Sequence, residues 1–217
     1  MFWPLATIAL AIFVGCFIAS ASLQMPKCEP VAQVKMSPLG FRLPIIVASA
    51  IAIAMWAMEV VPGPLGMLTA LLGWWLLLIA ILDAEHFWLP DRLTIPLGLF
   101  GLIVAFFHDA VNWRDHAIGA LAGFLALAAI AFVYQRLRGR EGLGGGDPRL
   151  LAAGGAWIGW MGLPSVLVWA SGAALTVVVI NAVRGKQMAL AQRIPLGTYL
   201  ALGIWLTWLY GPLDSIL

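Results

Sequence analysis

Ten acidic side chains stand in a chain of 217 residues that is 63% hydrophobic and only 10% charged. A carboxylate held close to a membrane-spanning segment is costly, so each of the ten is first a candidate for chemistry. Two stand out by position. Asp83 follows the apolar run 76–82 without a spacer, and Glu85, His86 and Asp91 come shortly after it. Asp147 closes the stretch Glu141-Gly142-Leu143-Gly144-Gly145-Gly146-Asp147 and leads directly into another apolar run. Carboxyl groups at such a boundary can exchange protons, which serves either hydrolysis or the passage of a proton or cation. The glycines before Asp147 let a substrate backbone, or a neighbouring helix, come close to the carboxylate. That suits proteolysis, in which a peptide bond must be drawn out of its helix and laid against an acid. A phosphate loop does not fit here, because the Lys-Ser/Thr ending and the preceding strand are missing.

The remaining candidates have plainer readings. Asp109, Asp115 and Asp214 fall in expected outer loops or the tail, and Glu29 and Glu141 among cytoplasmic basic residues, where solvated charge explains them. Glu59 lies one turn from the Pro62 corner, within reach of water. His86, His108 and His116 lack a second nearby ligand and read as structural. Cys16 and Cys28 give neither zinc-ligand spacing nor a disulfide framework. Trp74, Trp75, Trp88, Trp113, Trp205 and Trp208 fall near expected interfaces, as aromatic belts do, and Asn181 reads as an interhelical hydrogen-bonding group.

The elements that must position the two acids are membrane helices. A soluble domain averages about 45–50% apolar and about 25% charged residues, far from this composition. On the ruler of roughly 20 apolar residues per crossing, the fold class is all-α, a polytopic transmembrane bundle of about eight spans: 2–23, 43–61, 64–82, 94–107, 117–134, 150–161, 164–183 and 196–210. Val61-Pro62-Gly63-Pro64 and Gly162-Leu163-Pro164 read as tight turns between antiparallel helices. With the N-terminus outside, Lys27, Lys35, Arg42, Arg92, Arg136, Arg138, Arg140, Arg149, Arg184, Lys186 and Arg193 all fall inside and only Arg114 outside, eleven of the twelve Lys and Arg residues. Both termini are then periplasmic, and both Asp83 and Asp147 lie at the cytoplasmic face. Ala19-Ser20-Ala21 could pass for a signal-peptide cleavage site, but no basic residue precedes the first apolar run and cleavage would invert every later loop. The chain is expected to be one membrane domain, 1–217. The net charge of +2 and the scatter of basic residues argue against a nucleic-acid partner.

At these residues the chain resembles a family. Leu82-Asp83-Ala84-Glu85-His86 followed by Leu89-Pro90-Asp91-Arg92-Leu93-Thr94-Ile95-Pro96 looks like the first catalytic motif of the type IV prepilin peptidases, membrane aspartyl proteases. Gly144-Gly145-Gly146-Asp147 matches their Gly-x-Gly-Asp signature, and Leu150-Leu151-Ala152-Ala153-Gly154-Gly155-Ala156-Trp157 resembles the stretch just downstream of that signature. Ile194-Pro195-Leu196-Gly197-Thr198-Tyr199-Leu200-Ala201 is similar to their last motif, so the likeness covers 76–201. It implies that Asp83 and Asp147 are the catalytic pair, with Asp91, Glu85, Arg149, Gly144 and Gly146 in support. Arg149, behind Pro148, stands where the family commonly has lysine, which keeps charge with different geometry.

The resemblance also implies a mechanism and a partner. Two neighbouring carboxylates share one proton: the ionised one takes a proton from water while its partner protonates the scissile carbonyl. No cofactor and no metal is expected. The implied substrate is a prepilin or pseudopilin whose basic leader stays in the cytoplasm, cut after a glycine, in type IV pilus assembly or type II secretion. Membrane lipid is the other expected partner, and the expected location is the bacterial inner membrane. Glu85 or Glu141 could attract the basic leader. Bacterial members usually carry a cytoplasmic domain with paired cysteines that methylates the new N-terminus. The loop 24–42 stands in its place here, is too short to fold independently and holds one cysteine, so methylation is expected to be absent. Two rivals are a transporter, whose acids should lie nearer the midplane, and a catalytically silent scaffold of a pilus or secretion assembly.

Overall fold

A computed structural model describes residues 3–24, 39–108, 111–139, 144–184 and 195–213. Lys27, Cys28, Glu29, Lys35, Asp109, Arg140, Glu141, Lys186, Arg193, Ile194 and Asp214 lie outside the described residues. Among those described there are seven α-helices and no strand. Helix is the form the composition demands, since it satisfies every backbone group within one segment and needs no water to do so. Five of the helices are long and apolar enough to cross a membrane, and the chain is a multi-pass helical membrane protein.

The chain divides into two compact units, Met1–His86 and Phe87–Leu217. The first holds α1 (Trp3–Gln24), α2 (Leu39–Val60) and α3 (Pro64–His86). Small residues set the packing here, because lipid tails are as apolar as leucine and only close fit holds helices together. A Cβ added to Gly15 of α1 would meet the Val47 backbone of α2 at 2.9 Å. Trp74 of α3 donates its indole N–H to the Ala50 carbonyl of α2 at 2.9 Å. The corner between α2 and α3 falls at Val61–Gly63 as the Pro-Gly-Pro pattern predicts, with Gly63 at φ 92°.

The second unit holds α4 (Asp91–His108), α5 (Trp113–Arg138), α6 (Asp147–Val183) and α7 (Leu196–Tyr210). Helix α6 is central and is broken at Gly159, whose φ 74° and ψ 174° belong to a region that essentially only glycine enters. Gly154 meets the Ile204 side chain of α7, whereas the Val166 carbonyl approaches Gly203, the residue beside it. Twelve residues of straight helix would separate those two points of α6 by about 18 Å, so α6 folds back at Gly159 into two arms. The sequence reading of a turn at Gly162-Leu163-Pro164 is corrected accordingly: Gly162, Leu163 and Pro164 are helical, as proline can be in a membrane helix when neighbours satisfy the freed carbonyl.

The first arm, which begins at Asp147, is the core of the second unit. Leu150, Leu151, Ala153, Ala156 and Trp157 are all at most 2% exposed. Gly155 lies against Gly119 of α5 so closely that a Cβ on it would stand 2.2 Å from the Gly119 carbonyl oxygen. Trp157 donates its indole N–H to the Leu97 carbonyl of α4 at 3.0 Å and stacks edge-on against Trp208 of α7 at 5.3 Å between ring centroids. The arm is therefore held on three sides, and with it the position of its first residue.

Candidate functional site

Asp147 is the first residue of α6 and is 4% exposed. The backbone N–H of Gly144 donates to Asp147 Oδ2 at 3.1 Å, and the Asp147 N–H donates back to the Gly144 carbonyl at 3.2 Å. Gly144, Gly145 and Gly146 thus form a turn that delivers the chain into the helix with the carboxylate fixed from behind. A negative side chain at a helix start also meets the positive end of the macrodipole, and Pro148 suits the first turn because its missing N–H would have had no helical partner.

The three glycines have different surroundings. A Cβ on Gly144 would sit 3.2 Å from Asp147 Oδ2, against the carboxylate itself, while one on Gly146 would sit 2.5 Å from the Cβ of Leu89. A Cβ on Gly145 would meet nothing within 4 Å. The spacing Gly-x-Gly-Asp thus has a steric side in this chain: a Cβ would collide with Leu89 at Gly146 and crowd the carboxylate at Gly144, while the middle position is open. Leu89 is the partner that sequence reasoning missed, although its place just before Pro90-Asp91 in the first motif was a signal.

Asp91 opens α4 and accepts a hydrogen bond at 2.5 Å from Arg149 Nη1. The pair ties the start of α4 to the first turn of α6, beside Asp147. Both side chains are nearly half exposed, at 49% and 44%, so the pair fixes geometry more than it stabilises.

In the first unit, Asp83 lies in the last turn of α3 and is 4% exposed. Glu85, two residues on, accepts an ion-paired hydrogen bond from Arg42 of α2. Its carboxylate is therefore already engaged, which weakens its expected role as an attractor of a basic leader; Glu141, the other candidate, lies outside the described residues. Arg42 entered the sequence reading only as a topological charge, since no local pattern links residues 43 apart.

Residues 70–180, half of the chain, match the Type IV leader peptidase family, and that stretch includes Asp83, Asp91 and Asp147. The chain is 37% identical over 183 residues to the prepilin leader peptidase/N-methyltransferase of Aeromonas hydrophila, covering 83% of this chain and 61% of that protein. It is 38% identical over 177 residues to the protein of the same name in Burkholderia pseudomallei, with 81% and 57% covered. The Dichelobacter nodosus protein of that name is 40% identical over 139 residues, with 64% and 46% covered. The chain thus spans less than two thirds of the length of these curated relatives. No solved structure matches it.

Proposed function

The chain belongs to the type IV leader peptidase family, and on that premise we propose that it is an aspartic endopeptidase that removes the basic leader of a prepilin or pseudopilin. Asp83 and Asp147 are its catalytic pair, and the bond is cut after a glycine at the cytoplasmic face of the inner membrane. The observation that carries this reading is the seat of Asp147. A carboxylate 4% exposed, fixed by the Gly144 N–H at the head of a helix arm packed on three sides, is held where a substrate backbone can approach across glycine. Asp83 is the second acid within the matched family stretch with the same 4% exposure.

Hydrolysis by such a pair requires one proton between two carboxyl groups. The ionised group removes a proton from water, whose oxygen bonds to the scissile carbonyl carbon while the protonated group gives its proton to the carbonyl oxygen. The tetrahedral gem-diol collapses as the C–N bond breaks: the carboxyl group that gained the water proton delivers it to the departing amine, and a hydroxyl of the intermediate returns its proton to the other carboxylate as the C=O bond re-forms. Both groups return to their starting count of one shared proton, and no metal or cofactor enters the balance. Arg149, two residues after Asp147 in the first turn of α6, is paired with Asp91.

Residues 25–38, which join α1 to α2, are fewer than the roughly 40 a domain needs to fold alone. We therefore assign cleavage without N-methylation. The test is co-expression with a prepilin and a gel assay for leader removal. Wild type converts precursor to mature pilin, whereas Asp83→Asn and Asp147→Asn leave it uncut with normal membrane insertion. Full processing by either variant overturns the assignment. Mass spectrometry of the mature N-terminus then finds a free amine; a methylated one overturns the second part.

A further inference from the structure

Asp83 lies only three residues before the end of α3 at His86. The last turn of a helix has carbonyls without helical partners and frays unless something holds it. No glycine cap does so here. The chain leaves the helix through Phe87 at φ 50°, a left-handed conformation that is unfavourable for a bulky residue. A side chain from another helix meets this turn. Arg42, in the first turn of α2, is 9% exposed and donates through Nη2 to Glu85 Oε1. Its Nη1 and the Glu85 Oε2 are buried with no hydrogen-bond partner.

A part-buried ion pair whose outer atoms are left unsatisfied is poor stabilisation, because desolvation of the charges offsets their attraction. Its value lies in fixing register. The cation also sits at the end of α3, where the helix dipole favours positive charge. Residues two apart on a helix do not face each other, so the influence of the pair on Asp83 runs through the wound backbone of the turn Leu82-Asp83-Ala84-Glu85-His86.

We propose that Arg42 is a positioning residue for the catalytic reaction: by holding Glu85 across from α2, it keeps the last turn of α3 wound and the Asp83 carboxylate in place. The role of Asp83 in this statement rests on the peptidase reading above; the winding of the turn does not.

The experiment uses the full chain in detergent with a prepilin as substrate, and compares wild type with Arg42→Gln, Arg42→Lys and the swap Arg42→Glu with Glu85→Arg. Arg42→Gln lowers kcat about 10–100-fold with KM within about twofold, the signature of misplaced catalytic geometry. Arg42→Lys restores most of the loss, and so does the swap if it accumulates. In parallel, hydrogen exchange of the amides at 83–86 speeds up about tenfold in Arg42→Gln, while the middle of α2 is unchanged. Unchanged kcat, or a loss that neither Lys nor the swap repairs, overturns the proposal. Faster exchange at 83–86 in Arg42→Gln, beside a wild type that leaves prepilin uncut, would sink the peptidase reading and leave the support of the turn by Arg42 standing.

Discussion

The amide of Gly144 donates to Asp147 Oδ2 at 3.1 Å, closing a four-residue turn whose other end is the first residue of α6. A Cβ on Gly144 would press against that same oxygen at 3.2 Å, whereas on Gly146 it would strike Leu89 instead. The two glycines of the motif therefore guard different things, the carboxylate and the packing beneath it.

Gly144→Ala should lower kcat by about 10–100-fold with little change in thermal stability, because it displaces the acid and not the core. Gly145→Ala should leave both within about twofold of wild type, since its Cβ meets nothing. Processing kinetics and thermal unfolding in detergent check the pair.

Gly146→Ala should destabilise by about 1–3 kcal/mol, the usual cost of overpacking a rigid contact. Adding Leu89→Ala to it should recover part of that loss by removing the opposing side chain. A double-mutant cycle on melting temperature measures this, and additive losses would mean that the two residues do not press on each other.

The Asp91–Arg149 pair is half exposed, so its coupling should be small. Asp91→Asn and Arg149→Gln should interact by about 0.2–1 kcal/mol, falling as salt is raised. Arg149→Lys should retain most activity. Cycle measurements at low and high ionic strength test the first expectation.

Gly159→Ala should destabilise by about 1–3 kcal/mol, because φ 74° with ψ 174° is closed to a side chain. The loss should appear in folding or accumulation of the protein, and substrate affinity should be unaffected in the fraction that folds.

A catalytic pair that holds one proton gives a rate that falls on both sides of an optimum. The acid limb arises when both groups are protonated and no base remains, and the alkaline limb when both are ionised and no acid remains. The profile of kcat/KM for prepilin cleavage should therefore be bell-shaped, and a flat one would contradict shared acid–base work.

Much of this was legible in the sequence because it is local. Twenty apolar residues read as a crossing whatever surrounds them, and the helices α1 to α5 and α7 lie close to the expected spans. Asp83 and Asp147 were conspicuous because a charge beside an apolar run is conspicuous without any partner, and the Gly-x-Gly spacing marked the turn before Asp147. The break in the sixth helix was misplaced by three residues, since Pro164 and Gly162 are stronger written signals than Gly159, yet only the packing of α7 against both arms decides which glycine takes the strained conformation. The ion pairs Arg42–Glu85 and Arg149–Asp91 join residues 43 and 58 apart. A charge advertises its sign in the sequence but not its partner, because the partner is chosen by which helices lie side by side, and among apolar helices that choice rests on the fit of small residues such as Gly15, Gly119 and Gly155, which belongs to the fold as a whole.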